Sequence, residues 1–161
     1  MNTKLLRTCL LIGSILSAIV LWITRTGYSP SLSSFANANN QIFYYLCLLS
    51  SSWFFILNGA KRDNNLDYWV GLGMGCILLT NMYIMPLAHN IVTGLTLLLA
   101  IFNIIYETSK KERIVNIFLG ASAVGIFCIG YFTPFNFLFA EVIAMACIAI
   151  GMIRGIWITK T

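Results

Sequence analysis

Residues 61–113 read KRDNNLDYWVGLGMGCILLTNMYIMPLAHNIVTGLTLLLAIFNIIYETSKKER. Two polar, basic segments, 61–67 and 107–113, bracket two apolar runs, and Pro86 stands between the runs. Proline removes a backbone donor and breaks a helix. The stretch therefore predicts two helices joined by a turn without basic residues. The pattern continues outward in both directions. Lys4 and Arg7 open the first apolar run, and Arg154 and Lys160 close the last. Each basic cluster is separated from the next by two apolar runs, which is the positive-inside pattern of a polytopic membrane protein with both termini cytoplasmic.

A helix needs about 20 mostly apolar residues to cross a bilayer. Six stretches qualify: 5–24, 42–59, 68–85, 87–106, 114–132 and 135–157. The expected fold is an all-α, six-helix transmembrane bundle forming one domain over residues 1–161. Thr133-Pro134 separates helices five and six, as Pro86 separates three and four. The longest loop, 25–41, is rich in Ser, Asn and Gly, carries only Arg25, and belongs outside. The apolar stretch after Lys4 and Arg7 also resembles a secretion signal. The small residues Phe35-Ala36-Asn37-Ala38 lie too far beyond it for cleavage, so 5–24 reads as a retained helix. Trp22, Tyr44, Tyr45, Tyr83 and Tyr131 fall near the outer boundary, and Tyr68, Trp69, Tyr106 and Trp157 near the inner one, where amphipathic rings prefer to sit.

Composition excludes other classes. With 59% hydrophobic and 9% charged residues and a mean hydropathy of +0.85, a water-soluble domain could not solvate its surface. The net charge of +5 is spread as membrane-flanking clusters. Lys110, Lys111 and Arg113 therefore face anionic lipid and do not bind nucleic acid. Cys9, Cys47, Cys76, Cys128 and Cys147 all lie in apolar runs without CxxC spacing and read as buried free thiols. Small residues four apart, Gly71 with Gly75, Gly13 with Ser17 and Ala121 with Gly125, predict close helix approach.

Ionisable groups within apolar runs are costly and point to function. His89, the only histidine, lies three residues after Pro86. Glu141 lies five residues after Asn136, about 8 Å into helix six. Both sit toward the non-cytoplasmic side, where a His–Glu couple could hold a lipid head group, relay protons or do acid–base work. On helix four, His89, Thr93, Thr96 and Asn103 share one face with Ala100 and Glu107, and that face is expected to point into the bundle. Such a stripe suits a polar cavity, and it equally suits interhelical hydrogen bonds. Asn81 in helix three is a further buried amide. Cys47, Ser51 and Asn58 form a lesser stripe on helix two. One His and one carboxylate are too few ligands for a metal site, and any cofactor is unknown from the sequence.

Six spans, an outer loop after helix one, Leu87-Ala88-His89-Asn90-Ile91-Val92-Thr93-Gly94 opening helix four and Phe139-Ala140-Glu141-Val142 in helix six resemble the Frag/DRAM/Sfk-type six-span membrane proteins. Related bacterial families of unknown function share this layout. The loop Arg25-Thr26-Gly27-Tyr28-Ser29-Pro30 is similar in kind to that family's. The resemblance implies a lipid-associated role. Here Ser33-Ser34-Phe35 lacks the Asp that the family's loop usually carries, and Val142 stands where an aromatic often follows the Glu.

The leading expectation is a multi-pass membrane protein with a polar intramembrane pocket toward the non-cytoplasmic side. That pocket would bind a lipid or small amphiphile through His89, Glu141, Thr93, Asn81, Thr96 and Asn103. The alternatives are a membrane enzyme acting on a lipid head group through the His–Glu couple, or a transporter or complex subunit. Expected partners are membrane lipids and other membrane subunits or further copies of the chain.

Overall fold

The computed structural model describes residues 3–24, 31–37, 39, 41–80, 83–106, 110–132 and 137–158. Six α-helices form in chain order: α1 (Thr3–Thr24), α2 (Gln41–Arg62), α3 (Asn65–Leu79), α4 (Pro86–Tyr106), α5 (Lys110–Phe132) and α6 (Phe137–Ile158). A 3-10 helix, Leu32–Asn37, precedes α2. Among the described residues there is no strand. All the helices except α3 are long and apolar enough to cross a membrane, which makes five. Many large apolar side chains remain exposed, among them Leu79, Ile84, Leu95, Leu98, Phe102 and Phe118. Such a surface suits hydrocarbon better than water.

Sequence neighbours pack on one another, and α6 returns to α1, so the helices close into a ring. Side-chain bonds fix the up-and-down order. At one end Arg7 of α1 reaches Asn58 of α2, and Asn64, just before α3, reaches Asn103 of α4. Asn116 of α5 bonds Ile104 of α4, and Trp157 of α6 bonds Thr8 of α1. Both ends of the described chain and the α2–α3 turn thus share one end of the bundle, here called the basic end. Its core holds Leu11, Phe54, Phe55, Val70, Ile101 and Ile148.

Two boundaries differ from expectation. The segment 61–67 is not a loop. Helix α2 runs to Arg62 and α3 restarts at Asn65. The two-residue turn is possible because Asp63 adopts a left-handed φ of 52° and the Asn64 side chain accepts from the Leu66 N–H as a helix cap. The turn folds tightly over Gly59, where a Cβ would sit 3.1 Å from the Asn64 carbonyl oxygen and 3.2 Å from Asp67 Cβ.

At its far end α3 stops at Leu79 instead of continuing to Met85. Its 15 residues span only about 22 Å. The Thr80 N–H still bonds the Cys76 carbonyl, and His89 closes the gap from α4, as described below.

Small residues prove selective. Gly71 meets the α2 backbone, and Ser52 donates to its carbonyl at 2.8 Å. Around Gly13 and Gly125 a Cβ would meet nothing within 4 Å, so spacing alone does not mark a seam. Cys47 is buried, but Cys9, Cys76 and Cys128 are exposed, and all five cysteines are free thiols.

Candidate functional site: two polar centres at opposite ends

The polar face of α4 turns inward. His89, Thr96 and Asn103 are buried, whereas Leu95 and Leu98 are exposed. Thr93 is half-buried, and its hydroxyl oxygen is sealed from solvent without a hydrogen-bond partner among the described residues. Thr96 packs against Gly73 of α3, where a Cβ would clash with its side chain. Asn81 lies outside the described residues.

His89 and Glu141 have different partners. The His89 Nδ1 lies 2.6 Å from the Thr80 carbonyl oxygen, and the His89 N–H donates to Met85. With Nδ1 protonated, the ring satisfies a carbonyl that the early end of α3 would otherwise leave open. In hydrocarbon such a group has no other partner. Glu141 accepts from the Leu32 N–H at 2.6 Å. It thereby holds the first residue of the 3-10 helix. That helix buries Phe35 and Ala36 beside Leu21, Tyr44, Leu48, Ile77 and Leu138. Tyr83 donates to the Ser34 carbonyl and Tyr45 to the Ala36 carbonyl. At this end, then, one carboxylate and two phenols anchor a plug of chain.

Because these bonds are independent, His89→Ala and Glu141→Gln should destabilise additively. A double-mutant cycle of unfolding in detergent checks this. A coupling above about 1 kcal/mol would instead indicate a direct His–Glu couple.

The larger polar cluster lies at the basic end, around a residue the sequence had placed in a loop. Asp67 is fully buried. Its Oδ2 accepts from Asn58 at 2.7 Å and from Asn64 at 3.1 Å, and its Oδ1 accepts from Asn103 at 2.6 Å. Asn64 also donates to Asn103 Oδ1 at 3.1 Å. Arg7 donates from Nη1 to Asn58 Oδ1 at 2.6 Å and from Nε to the Thr3 carbonyl. One network therefore joins α1, α2, the α2–α3 turn, α3 and α4. Arg7, 5% exposed, is a structural member of the bundle and not a free flanking charge.

Midway along the helices, Ser14 donates to the Cys47 carbonyl and contacts Ser51. These polar residues of α1 and α2 serve helix pairing.

Over the Asp67 network lies an open depression of about 470 Å³, lined by Arg62, Asp63, Asn64, Asn65, Leu66 and Tyr106. Asn64, one of the lining residues, is held by the bonds just described. Arg62, Asp63, Asn65, Leu66 and Tyr106 complete the lining. Sequence reasoning missed this place because 61–67 read as an ordinary polar loop. Two signals were available. Asn and Asp are dense in a very short connection. Arg7 also shares the α1 face of Leu11, Ser14, Ala18 and Leu21, all of which are buried.

Compared with known proteins, the chain matches no family model, no curated protein and no solved structure.

Proposed function

We propose that this chain is a six-span membrane protein with both termini cytoplasmic that binds a lipid or small amphiphile. Its α3 would cross as the short sixth span. The observation that carries the binding reading is the depression at the basic end. Its lining residues carry a guanidinium, a carboxylate, amides and an aromatic ring. Its size lies within the roughly 300–1,000 Å³ of ligand pockets. By the positive-inside pattern this end faces the cytoplasm, which places the depression at head-group depth. The likeness to Frag/DRAM/Sfk-type proteins belongs to the same proposal.

The head group is assigned to the basic end and not to the Glu141 end for a physical reason. Glu141 is engaged by Leu32, and the 3-10 helix packs its apolar residues there.

The test is lipid retention by protein purified in mild detergent, read by native mass spectrometry. Arg62→Gln and Tyr106→Leu should each strip the retained lipid while helix content by circular dichroism is unchanged. Equal retention by wild type and both variants would refute the reading.

A further inference from the structure

Independently of the depression, we infer that Leu32 fills, as an internal stand-in, a second binding site at the opposite end of the bundle, whose external ligand is a lipophilic primary ammonium held by Glu141.

Three observations carry this. The first is the chemistry of the contact. The Leu32 N–H lies 2.6 Å from Glu141 Oε2. This donor is a neutral backbone group. It fills a hydrogen-bonding position on the carboxylate and supplies no counter-charge. A carboxylate within an apolar run is costly, and a cation beside it interacts strongly in a medium of low dielectric. A primary ammonium keeps an N–H donor at the same oxygen and adds a positive charge.

The second is the apolar surroundings. Leu32 packs against two clusters of the core, one of Ala18, Cys47 and Val142 and one that includes Leu21, Tyr44 and Leu138. Residue 32 thus offers an N–H to a carboxylate and a branched alkyl group to a wall drawn from α1, α2 and α6. A ligand that replaces it needs the same two parts, a nitrogen donor and an alkyl chain.

The third is the way the 3-10 helix is held. Leu32 is its first residue. Leu32 and Glu141 are both half-buried, whereas Phe35 and Ala36 are deeply buried. Tyr83 donates to the Ser34 carbonyl and Tyr45 to the Ala36 carbonyl. The later residues therefore keep their own anchors when Leu32 leaves, and displacement asks one residue to move instead of the whole segment.

Competition between stand-in and ligand gives the expected effects their sign. A site that is open for only a fraction of the time binds with an affinity reduced by that fraction. Weakening the internal occupant therefore tightens the external one. Leu32→Pro deletes the N–H, and proline's fixed φ suits the first position of a helical turn. Leu32→Ala keeps the N–H and withdraws most of the alkyl group.

The experiment uses the full-length protein in phosphatidylcholine nanodiscs and tritiated n-octylamine, which is cationic at neutral pH as a lysine side chain is. Equilibrium dialysis reads binding, and empty nanodiscs give the lipid partitioning to subtract. Wild type should bind saturably. Octyltrimethylammonium, which has no N–H, should compete only weakly. Leu32→Pro should tighten octylammonium binding by about tenfold, the scale of one hydrogen bond to a charged group, and Leu32→Ala by less. Glu141→Gln should abolish it. His89→Ala removes a different bond at the same end of the bundle and should leave binding unchanged, which separates loss of the carboxylate from loss of stability. Arg62→Gln, at the basic end, should leave it unchanged as well.

Binding that survives Glu141→Gln overturns the assignment. So does binding that both Leu32 variants weaken or leave unchanged, and so does a lack of saturable binding in wild type and both Leu32 variants. Loss on Arg62→Gln would move the amine to the basic end and overturn it equally. None of the Glu141 or Leu32 outcomes bears on lipid retention at the depression, which is read separately.

Discussion

Asp67→Ala should destabilise the folded protein by about 3–5 kcal/mol, the scale for removing one member of a buried charged network. The substitution takes one acceptor group away from three amides at once, since Asn58, Asn64 and Asn103 all donate to that carboxylate. Arg7 would then be tethered to an Asn58 that has lost its own anchor. Each unsatisfied buried donor costs about 1–3 kcal/mol. Asp67→Asn should cost less, because it keeps the shape and one acceptor oxygen while placing an NH2 against the amide donors. Asn58→Ala and Asp67→Ala should be less than additive, since both remove the Asn58–Asp67 bond, while Asn58→Ala also takes the acceptor from buried Arg7. Denaturant unfolding in detergent, followed by circular dichroism, reads all three. An Asp67→Ala protein that unfolds with the wild-type midpoint would show that the network holds nothing together.

Gly71→Val should be the most damaging substitution on the α2–α3 seam, at about 1–3 kcal/mol from overpacking. Even a Cβ there would lie 2.8 Å from Ile56 Cγ1 and 3.1 Å from both the Ile56 nitrogen and the Ser52 carbonyl oxygen. Two of those atoms are backbone, so no rotamer change relieves the clash. Separation of the helices would also stretch the Ser52 bond to the Gly71 carbonyl. Gly75 lies on the same face, yet its Cβ would make an ordinary contact of 3.8 Å with Ser52 Oγ. Gly75→Ala should therefore be nearly neutral. The same unfolding assay decides it, and equal losses at the two glycines would contradict the seam geometry.

The glycine pair illustrates what the sequence discloses. Hydropathy and proline placement locate all six helices to within a few residues, because length and apolar content are local properties. They fail at the end of α3. Residues 80–85 read as a continuation of the helix, and a tertiary bond, the His89 ring on the Thr80 carbonyl, helps stabilise an earlier stop. Likewise His89 and Glu141 were legible as costly intramembrane groups, but not their partners. Each binds a backbone group brought in by another segment, Thr80 for one and Leu32 for the other. Asp67 escaped notice for the opposite reason. It sits among polar neighbours in sequence, and burial becomes visible only when α2 and α3 fold back on a two-residue turn. The inward face of α4 was readable because polar groups at helical spacing within an apolar run have one physically acceptable direction.

The central claim is a six-span bundle whose basic end faces the cytoplasm. Site-directed accessibility in intact cells tests it most directly. With Cys9, Cys47, Cys76, Cys128 and Cys147 replaced by alanine, single cysteines are introduced by Ser33→Cys, Asp63→Cys and Lys4→Cys. A membrane-impermeant maleimide should label the Ser33→Cys protein in intact cells. It should reach the Asp63→Cys and Lys4→Cys proteins only after permeabilisation. Labelling of Ser33→Cys and Asp63→Cys from the same side would contradict both the topology and the placement of the depression.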